Sequence, residues 1–319
     1  MPNILCIYNP KSGAGSVEKR IPKFLKTIED LSVEYDTLKL IDDDFDSQLT
    51  ESLKTKIYDS ILGIGGDGTH HSLINQILNL HDSQPDLELP AYAFCPFGTG
   101  NDIARSIGLK VGEEHYQSII ETATSGEIKA YDIGFALNRY FADMISFGID
   151  CNILSLRDHY ISERLKKHKT ASVRFGYWAY LKAIVKSLTK TAKLSGKIFV
   201  DDKLFYEGEF KNLIINNCPL HAAHFDITPG ANSFDGIFDA LLSLSSRQYI
   251  TDHLAAYRSD STKLKAKGSE NKLRIRGKCF QIELDAPTMI QMDGELIKEE
   301  NNFTINCLAK KLKIRIPQS

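Results

Sequence analysis

The residues best equipped for chemistry gather in three short turns. The densest is Gly63-Ile64-Gly65-Gly66-Asp67-Gly68-Thr69, set between an apolar run and a helical pattern. Gly63, Gly65 and Gly68 formally have the spacing of a dinucleotide-binding turn. Asp67 argues against that use, because a carboxylate inside the turn repels a pyrophosphate unless a cation lies between them. It makes sense as a Mg²⁺ or catalytic residue beside phosphate. Two further turns, Asn9-Pro10-Lys11-Ser12-Gly13-Ala14-Gly15 and Pro96-Phe97-Gly98-Thr99-Gly100-Asn101-Asp102, also follow apolar runs. If those runs are parallel strands, their C-terminal ends share one sheet edge, where ligands bind. Together the turns would offer backbone N–H groups, hydroxyls and helix N-termini to a polyphosphate. One glycine after a strand is ordinary punctuation; three such turns, two of them containing Asp, favour phosphate binding. None is a Walker A loop, since no GxxxxGK[ST] occurs.

The flanking segments are of the kind that could hold these turns. Ile4–Tyr8, Val33–Leu40, Ile57–Ile64 and Ala91–Cys95 read as strands, whereas Val17–Leu31 and Thr69–Leu80 carry helical stripes. Strand, turn and helix in repetition give a parallel sheet with helices on both sides. Beyond about Tyr131 short alternating segments take over: Tyr140–Ser146, Lys197–Val200, Asn212–Asn216, Ile237–Leu242, Lys272–Ile275, Cys279–Leu284 and Lys311–Ile316. Turn residues separate most of them, as in an antiparallel β domain. One segment, 153–194, reads instead as helical and basic, with ten Lys or Arg against only Asp158 and Glu163.

Composition bounds the alternatives. A chain of 319 residues suggests two domains. With 39 Lys+Arg against 41 Asp+Glu it lacks the global basic field of a nucleic-acid binder, so no nucleic-acid partner is expected. The six cysteines are scattered and form no CxxC pair, which argues against a zinc ribbon or redox dithiol and fits a reducing cytoplasm. Met1–Tyr8 reads as a strand rather than a signal peptide, and no run approaches the roughly 18 apolar residues of a membrane span. The expected location is cytoplasmic, at most peripheral to a membrane. Exposed β edges would allow a homodimer.

Asn9-Pro10-Lys11-Ser12-Gly13, Gly65-Gly66-Asp67-Gly68-Thr69 and Gly98-Thr99-Gly100-Asn101-Asp102 resemble the nucleotide site of diacylglycerol kinases and their sphingosine- and ceramide-kinase relatives. Asp132-Ile133-Gly134, Ser146-Phe147-Gly148-Ile149-Asp150 and Asp293-Gly294-Glu295 follow in that family's order, so the resemblance spans nearly the whole chain. It implies an α/β plus β fold: an N-terminal three-layer parallel-sheet nucleotide domain and a C-terminal antiparallel β-sandwich domain with a basic helical insert. The expected boundaries are 1–130, joined by a C-terminal tail of about 301–319, and 131–300 with the insert at 153–194.

By position, the resemblance implies ATP lined by Asn9, Pro10, Lys11, Ser12, Gly13, Thr37, Gly65, Gly66, Gly68, Thr69, Thr99 and Asn101. It implies catalytic Mg²⁺ on Asp67, Asp102 and Asp132. Glu295, beside Asp293, would accept the proton of a lipid hydroxyl, so Glu295, Asp67 and Asp293 are the expected catalytic group. A structural Mg²⁺ is implied at Asn232, Asp235 and Ile237. The chain departs from the bacterial pattern after the glycine turn, with His70-His71-Ser72 where those members carry Leu-Asn-Glu. Both placements of these histidines, toward phosphate or on the helix surface, stay open. His221 and His224 have metal-ligand spacing, but the proline before them argues for a loop and no third ligand is evident.

The chemistry agrees with the resemblance, because phosphoryl transfer needs neutralised phosphates and a hydroxyl held in line. The expectation is an ATP- and Mg²⁺-dependent lipid kinase, with diacylglycerol giving phosphatidic acid as the first reading. A sphingoid base or another glycerolipid, NAD phosphorylation, and a non-catalytic nucleotide-dependent membrane-binding regulator are the alternatives. The basic 157–193 segment is expected to meet an anionic membrane, each cation contributing about 1 kcal/mol, with a solvated helical face as the plainer reading.

Overall fold

The computed structural model describes residues 1–168, 173–221, 225–257 and 273–318. Its first part alternates strand and helix: β1 (Asn3–Tyr8), α1 (Ser12–Asp30), β2 (Glu34–Lys39), α2 (Phe45–Thr55), β3 (Ser60–Gly65), α3 (Asp67–Ser83), β4 (Ala91–Pro96), α4 (Asp102–Ser106) and α5 (Tyr116–Ser125). Every residue of β3 and β4 is buried, the mark of strands covered on both faces. The four strands pair in parallel in the order β4-β3-β1-β2. Helices cover them with apolar stripes, including Val17, Ile21, Phe24 and Ile28 of α1 and Leu73, Ile74, Ile77 and Leu78 of α3. Helix α1 starts earlier than its periodicity indicated, because the N–H groups of Lys11 and Ser12 both turn back onto Asn9 and the helix begins at Ser12.

The second part is mostly antiparallel. β5 (Glu127–Ala136), β6 (Arg139–Phe141) and β7 (Met144–Gly148) lead into a helical pair, α6 (Ile149–His168) and α7 (Val173–Lys190). Then come β8 (Leu194–Val200), β9 (Lys203–Phe210), β10 (Asn212–Asn216), β11 (Leu220–His221), β12 (Phe225–Asp226), β13 (Phe238–Ser243), α8 (Ser246–Tyr257), β14 (Arg274–Gly277), β15 (Cys279–Met292) and β16 (Glu295–Ile316). Strand β15 pairs with β8 before a register shift at Glu283/Thr288 and with β7 after it. A strand that changes partners at such an irregularity passes from one layer of a sandwich to the other. Between the layers Phe147 of β7 packs against Phe210 of β9 and Phe303 of β16, with ring centroids 6.1 and 5.5 Å apart.

The stretch Tyr140–Ser146, which alternates as one strand, is two. β6 ends at Phe141 and β7 starts at Met144 because the amides of Ala142, Asp143 and Met144 turn onto the carboxylate of Asp293. The basic segment is likewise two helices, anchored at its start by Asp150. That carboxylate accepts hydrogen bonds from Tyr249 Oη (2.6 Å) and Asn212 Nδ2 (2.8 Å), tying α6 to α8 and β10. Lys272, at the head of an expected strand, lies outside the described residues.

The end of β16 rejoins the first sheet. Its residues Leu312–Ile316 pair antiparallel with β5, and Ile314 stands parallel beside Tyr92 of β4. Leu312, Ile314 and Ile316 are buried in the same core as Ile4, Phe24 and Tyr92. The nucleotide-type sheet is thus completed by the chain's far end. Ile314→Ala should cost about 2–5 kcal/mol, the usual loss for a buried isoleucine, and should lower the urea midpoint of unfolding; an unchanged midpoint would mean that the tail does not hold the first core.

Candidate active site

The three turns meet as one surface. The Phe97 amide donates to Gly65 O (2.8 Å), and a Cβ on Gly98 would stand 2.5 Å from Gly66 Cα, so the second and third turns touch backbone to backbone. Ser12 Oγ lies 2.6 Å from Thr69 Oγ1, which brings in the first turn. Asp67 fastens the group from within: its two oxygens accept the amides of Asn101 (2.8 Å) and Asp102 (3.0 Å). Asn101 is buried in the left-handed region at φ +56°, and its side chain closes its own turn on Gly98. Its amide group is therefore committed to the loop. Asn9 likewise spends its carbonyl Oδ1 on the Lys11 amide (2.9 Å). Lys11, Gly13 and Thr99 are exposed at the rim, Pro10 is half-buried, and Thr37 is exposed on the outer strand β2.

Opposite this surface stands the hairpin between β15 and β16. Met292 pairs with Glu295, and the two loop residues, Asp293 and Gly294, have φ of +51° and +85°. Asp-Gly is the favoured pair for a two-residue hairpin with both residues in the left-handed region. Asp293 is buried and its carboxylate is filled, accepting the amides of Ala142 (2.9 Å), Asp143 (2.8 Å) and Met144 (3.0 Å) and facing His71 Nδ1 at 2.9 Å. Through these bonds Asp293 fixes the hairpin to its surroundings. The hairpin then delivers Glu295 onto the glycine turn: a Cβ on Gly68 would come within 2.4 Å of Glu295 Oε1. A side chain at position 68 would have to displace that carboxylate. Burial raises the Glu295 pKa above its ordinary value.

A further carboxylate was not singled out from the sequence. Asp143, between β6 and β7, is 3% exposed, and its Oδ1 has no hydrogen-bond partner. Burial, then the fields of Asp102, Asp293 and Asp67, push its pKa well up. Asp67 is also raised, chiefly by burial. The signal available was a lone carboxylate inside the apolar run Tyr140–Ile145, since Asp is seldom buried unless paired. Like charges crowded in this way, with one oxygen orphaned, are a donor set that suits a divalent cation. Asp67, Asp102 and Asp143 would face it, in part through water, and it would offset the negative charge they concentrate there. No three described His, Cys, Asp or Glu side chains converge closely enough to enclose a metal by themselves. Water and phosphate would therefore supply the other ligands, as is usual for Mg²⁺.

Asp132, which resemblance puts in the catalytic set, is held by other elements. Its oxygens accept the amides of Gly236 (2.6 Å) and Lys310 (2.8 Å), which joins the 232–237 loop to β16. Its role there is to fasten backbone. In that loop Asp235 pairs with Arg276 Nη2 at 2.5 Å and accepts the Ile237 amide at 3.1 Å, while Asn232 O accepts the Asp235 amide. The guanidinium already supplies the positive charge, so Asn232, Asp235 and Ile237 as arranged do not fit a metal ion. Of the two histidines after the glycine turn, His70 is buried against Tyr92 Oη (2.7 Å), and burial lowers its pKa to about 4, keeping it neutral. His71 is also buried, so neither is a surface histidine. His224 and the His221 side chain lie outside the described residues.

Carboxylates raised in the fold bind protons that the unfolded chain releases. Their contribution to stability is complete below the unfolded value of about 4 and is lost as pH rises through the higher folded values. In chelator-containing buffer, Asp143→Asn should therefore flatten the fall in melting temperature between about pH 5 and about pH 8. Divalent cation should stabilise the unsubstituted protein most at the alkaline end. Parallel curves for the two proteins would remove Asp143 from the charged cluster.

Residues 3–136 match the diacylglycerol kinase catalytic domain. Along its length the chain is 24% identical over 297 residues to a diacylglycerol kinase of Bacillus subtilis strain 168, covering 91% of each chain. It is 26% identical over 294 residues to a diacylglycerol kinase of Staphylococcus epidermidis strain RP62A, covering 91% of this chain and 84% of the relative. A crystal structure described as a diacylglycerol kinase from Bacillus anthracis str. Sterne has the same fold, with a TM-score of 0.68 at 19% identity, over 98% of this chain and 96% of that one. The glycine turns and the distal Asp-Gly-Glu hairpin agree with these likenesses: residues 3–136 match the diacylglycerol kinase catalytic domain, and along nearly its whole length the chain is similar to diacylglycerol kinases.

Proposed function

We propose that the protein transfers the γ-phosphate of ATP to a hydroxyl of a membrane lipid, diacylglycerol giving phosphatidic acid, with Mg²⁺ as the cation. The observation that carries this reading is the placement of Glu295 against Gly68, beside Asp67 and the three turns. In this reading the turns receive the phosphates through backbone N–H groups, with Ser12 and Thr69 at the first two turns and Lys11 and Thr99 at the rim. Asp67 and Asp102, with Asp143, hold the cation that neutralises them. Glu295 orients the acceptor hydroxyl and takes its proton late, as the bond to phosphorus forms. The positions of Asp67 and Glu295 in two different elements also favour a cleft that accepts a nucleotide from one side and an acceptor from the other.

The second support concerns the membrane. None of the described helices is long and apolar enough to cross one. Helix α7 nevertheless exposes Trp178, Leu181 and Val185, at 50%, 52% and 62%, in a stripe at helical spacing. Lys182 lies against this stripe, 4.9 Å from the Trp178 ring and 4.5 Å from Tyr160 of α6. Lys186 faces the same tyrosine at 5.8 Å. Apolar side chains flanked by cations, with an aromatic ring among them, suit the interface of an anionic bilayer. Lys169 and the side chains of Lys167, Arg174 and Tyr177 lie outside the described residues.

Incubation with γ-labelled ATP and mixed-micelle lipids should label diacylglycerol in preference to a sphingoid base, with NAD in a parallel tube unlabelled. Asp67→Ala should abolish the label, and Glu295→Gln should lower kcat by about 10²-fold or more. Label in NAD alone would overturn the lipid reading. For the membrane surface, Trp178→Ser combined with Leu181→Ser should reduce sedimentation with phosphatidylglycerol-containing vesicles and leave ATP affinity intact. Unchanged sedimentation would leave this helical face as a solvated one.

A further inference from the structure

The 232–237 loop sits where the chain's far end leaves the sandwich for the first sheet. At that point β16 shifts register against β5 between Leu308 and Leu312, and Lys310 takes φ +59°. Asp132 of β5 bridges the crossing. Its carboxylate accepts the amides of Lys310 (2.8 Å) and Gly236 (2.6 Å), while its own amide donates to Ser233 O (2.8 Å). Ser233 Oγ donates to Asn217 O (2.9 Å), and the Phe234 ring meets Tyr131 edge to face, with centroids 5.5 Å apart. Whatever keeps this loop closed therefore also holds the passage of β16 onto the nucleotide-type sheet.

Resemblance implies a Mg²⁺ here, on Asn232, Asp235 and Ile237, yet a side chain fills the role. Arg276 stands directly across from Asp239 in the β13–β14 ladder. Its Nη2 is 2.5 Å from Asp235 Oδ2, and its Nε is 3.2 Å from Asp239 Oδ2. The guanidinium thus joins a loop carboxylate to a strand carboxylate. Asp235 Oδ1 accepts the Ile237 amide at 3.1 Å, so both of its oxygens are engaged. Asn232 is spent in the same way, its Oδ1 on the Phe234 amide (3.3 Å) and its carbonyl on the Asp235 amide (3.3 Å). Mg²⁺ demands an octahedron of oxygens at about 2.1 Å, whereas each of these oxygens already faces an N–H.

We propose that Arg276 takes the place of a structural cation in this chain, so that the 232–237 loop and the passage of β16 stay closed without a divalent ion. A guanidinium is suited to the exchange. Its charge does not titrate, and its planar fork of N–H groups can serve two carboxylates at once. Being part of the chain, it cannot be drawn off by a chelator, whereas the stabilisation given by a bound ion rises and falls with the ion's concentration. The arginine also gives the four-residue strand β14, at the end of the sheet, a grip on the loop beside β13. The assignment is independent of which lipid is phosphorylated, and of whether any is.

The test first silences the carboxylate cluster's own response to cations. In the Asp67→Asn/Asp143→Asn protein, EDTA and millimolar MgCl₂ should give the same melting temperature. Adding Arg276→Ala leaves Asp235 and Asp239 near one another without a counter-charge. That chain should melt about 3–8 °C lower in EDTA and recover most of the loss in millimolar MgCl₂ or CaCl₂, by binding to the folded state. Should Arg276→Ala not fold, Arg276→Gln, which keeps the aliphatic stem and removes the charge, carries the same comparison. Titration with Mn²⁺, with the free ion followed by EPR, should show one more ion bound per chain in the Arg276 variant than in its parent. A melting temperature that MgCl₂ raises in the double variant, with Arg276 intact, would overturn the proposal. So would an Arg276 variant that is no less stable than its parent, one that no divalent cation restores, or equal Mn²⁺ counts.

Discussion

One buried carboxylate organises the centre of this molecule. Asp293 takes the amides of three consecutive residues, Ala142 to Met144, and faces an imidazole of α3. Hydrogen bonds to an ionised acceptor are among the stronger ones in a protein, and here they join three distant parts of the chain. They break what would have been one strand into β6 and β7. They lock the β15–β16 hairpin in its left-handed turn and hold α3 against it. Glu295 follows Asp293 by two residues, so the position of its carboxyl group at the glycine turn is set by a neighbour that is itself fully engaged in structure.

The same region carries an electrostatic load. Asp67, Asp143 and Glu295 all have pKa values raised by burial, and Asp102 and Asp293 add to the field on Asp143. Burying one ionised carboxylate without a counter-charge is costly, and crowding several compounds the cost. A fold selected for stability alone would have no reason to keep them together. They make physical sense where a cation and a polyphosphate complete the charge balance. The 232–237 loop shows the opposite arrangement, with Asp235 and Asp239 both neutralised by Arg276. There the balance is achieved within the protein.

Much of the fold could be read along the chain. The parallel strands were legible because unbroken apolar runs such as Ser60–Gly65 belong to a sheet covered on both faces. The α3 stripe was legible from its period. Asp-Gly at 293–294, between two alternating segments, is a strong hairpin signal, yet resemblance drew attention to the pair as chemistry and away from its function as a turn. The start of α1 was not legible because a local turn onto Asn9, which apolar period does not record, sets it; the break at Ala142–Asp143 was not legible because a carboxylate far away in sequence decides it. The helical pair α6–α7 was seen only as one basic helical stretch, since periodicity does not record where a helix ends.

By itself the sequence determined the three glycine turns, the strands that carry them and the class of chemistry they invite. Those features depend on contiguous residues, through local turn preference and apolar period. Tertiary structure alone decided which charged groups share a site. It placed Asp132 with the 232–237 loop, moved Asp143 in beside Asp67 and Asp102, and set His71 against Asp293 across 222 positions. The reason is that a carboxylate's role follows from the donors and charges packed around it, and those neighbours are chosen when the two parts of the chain close on each other.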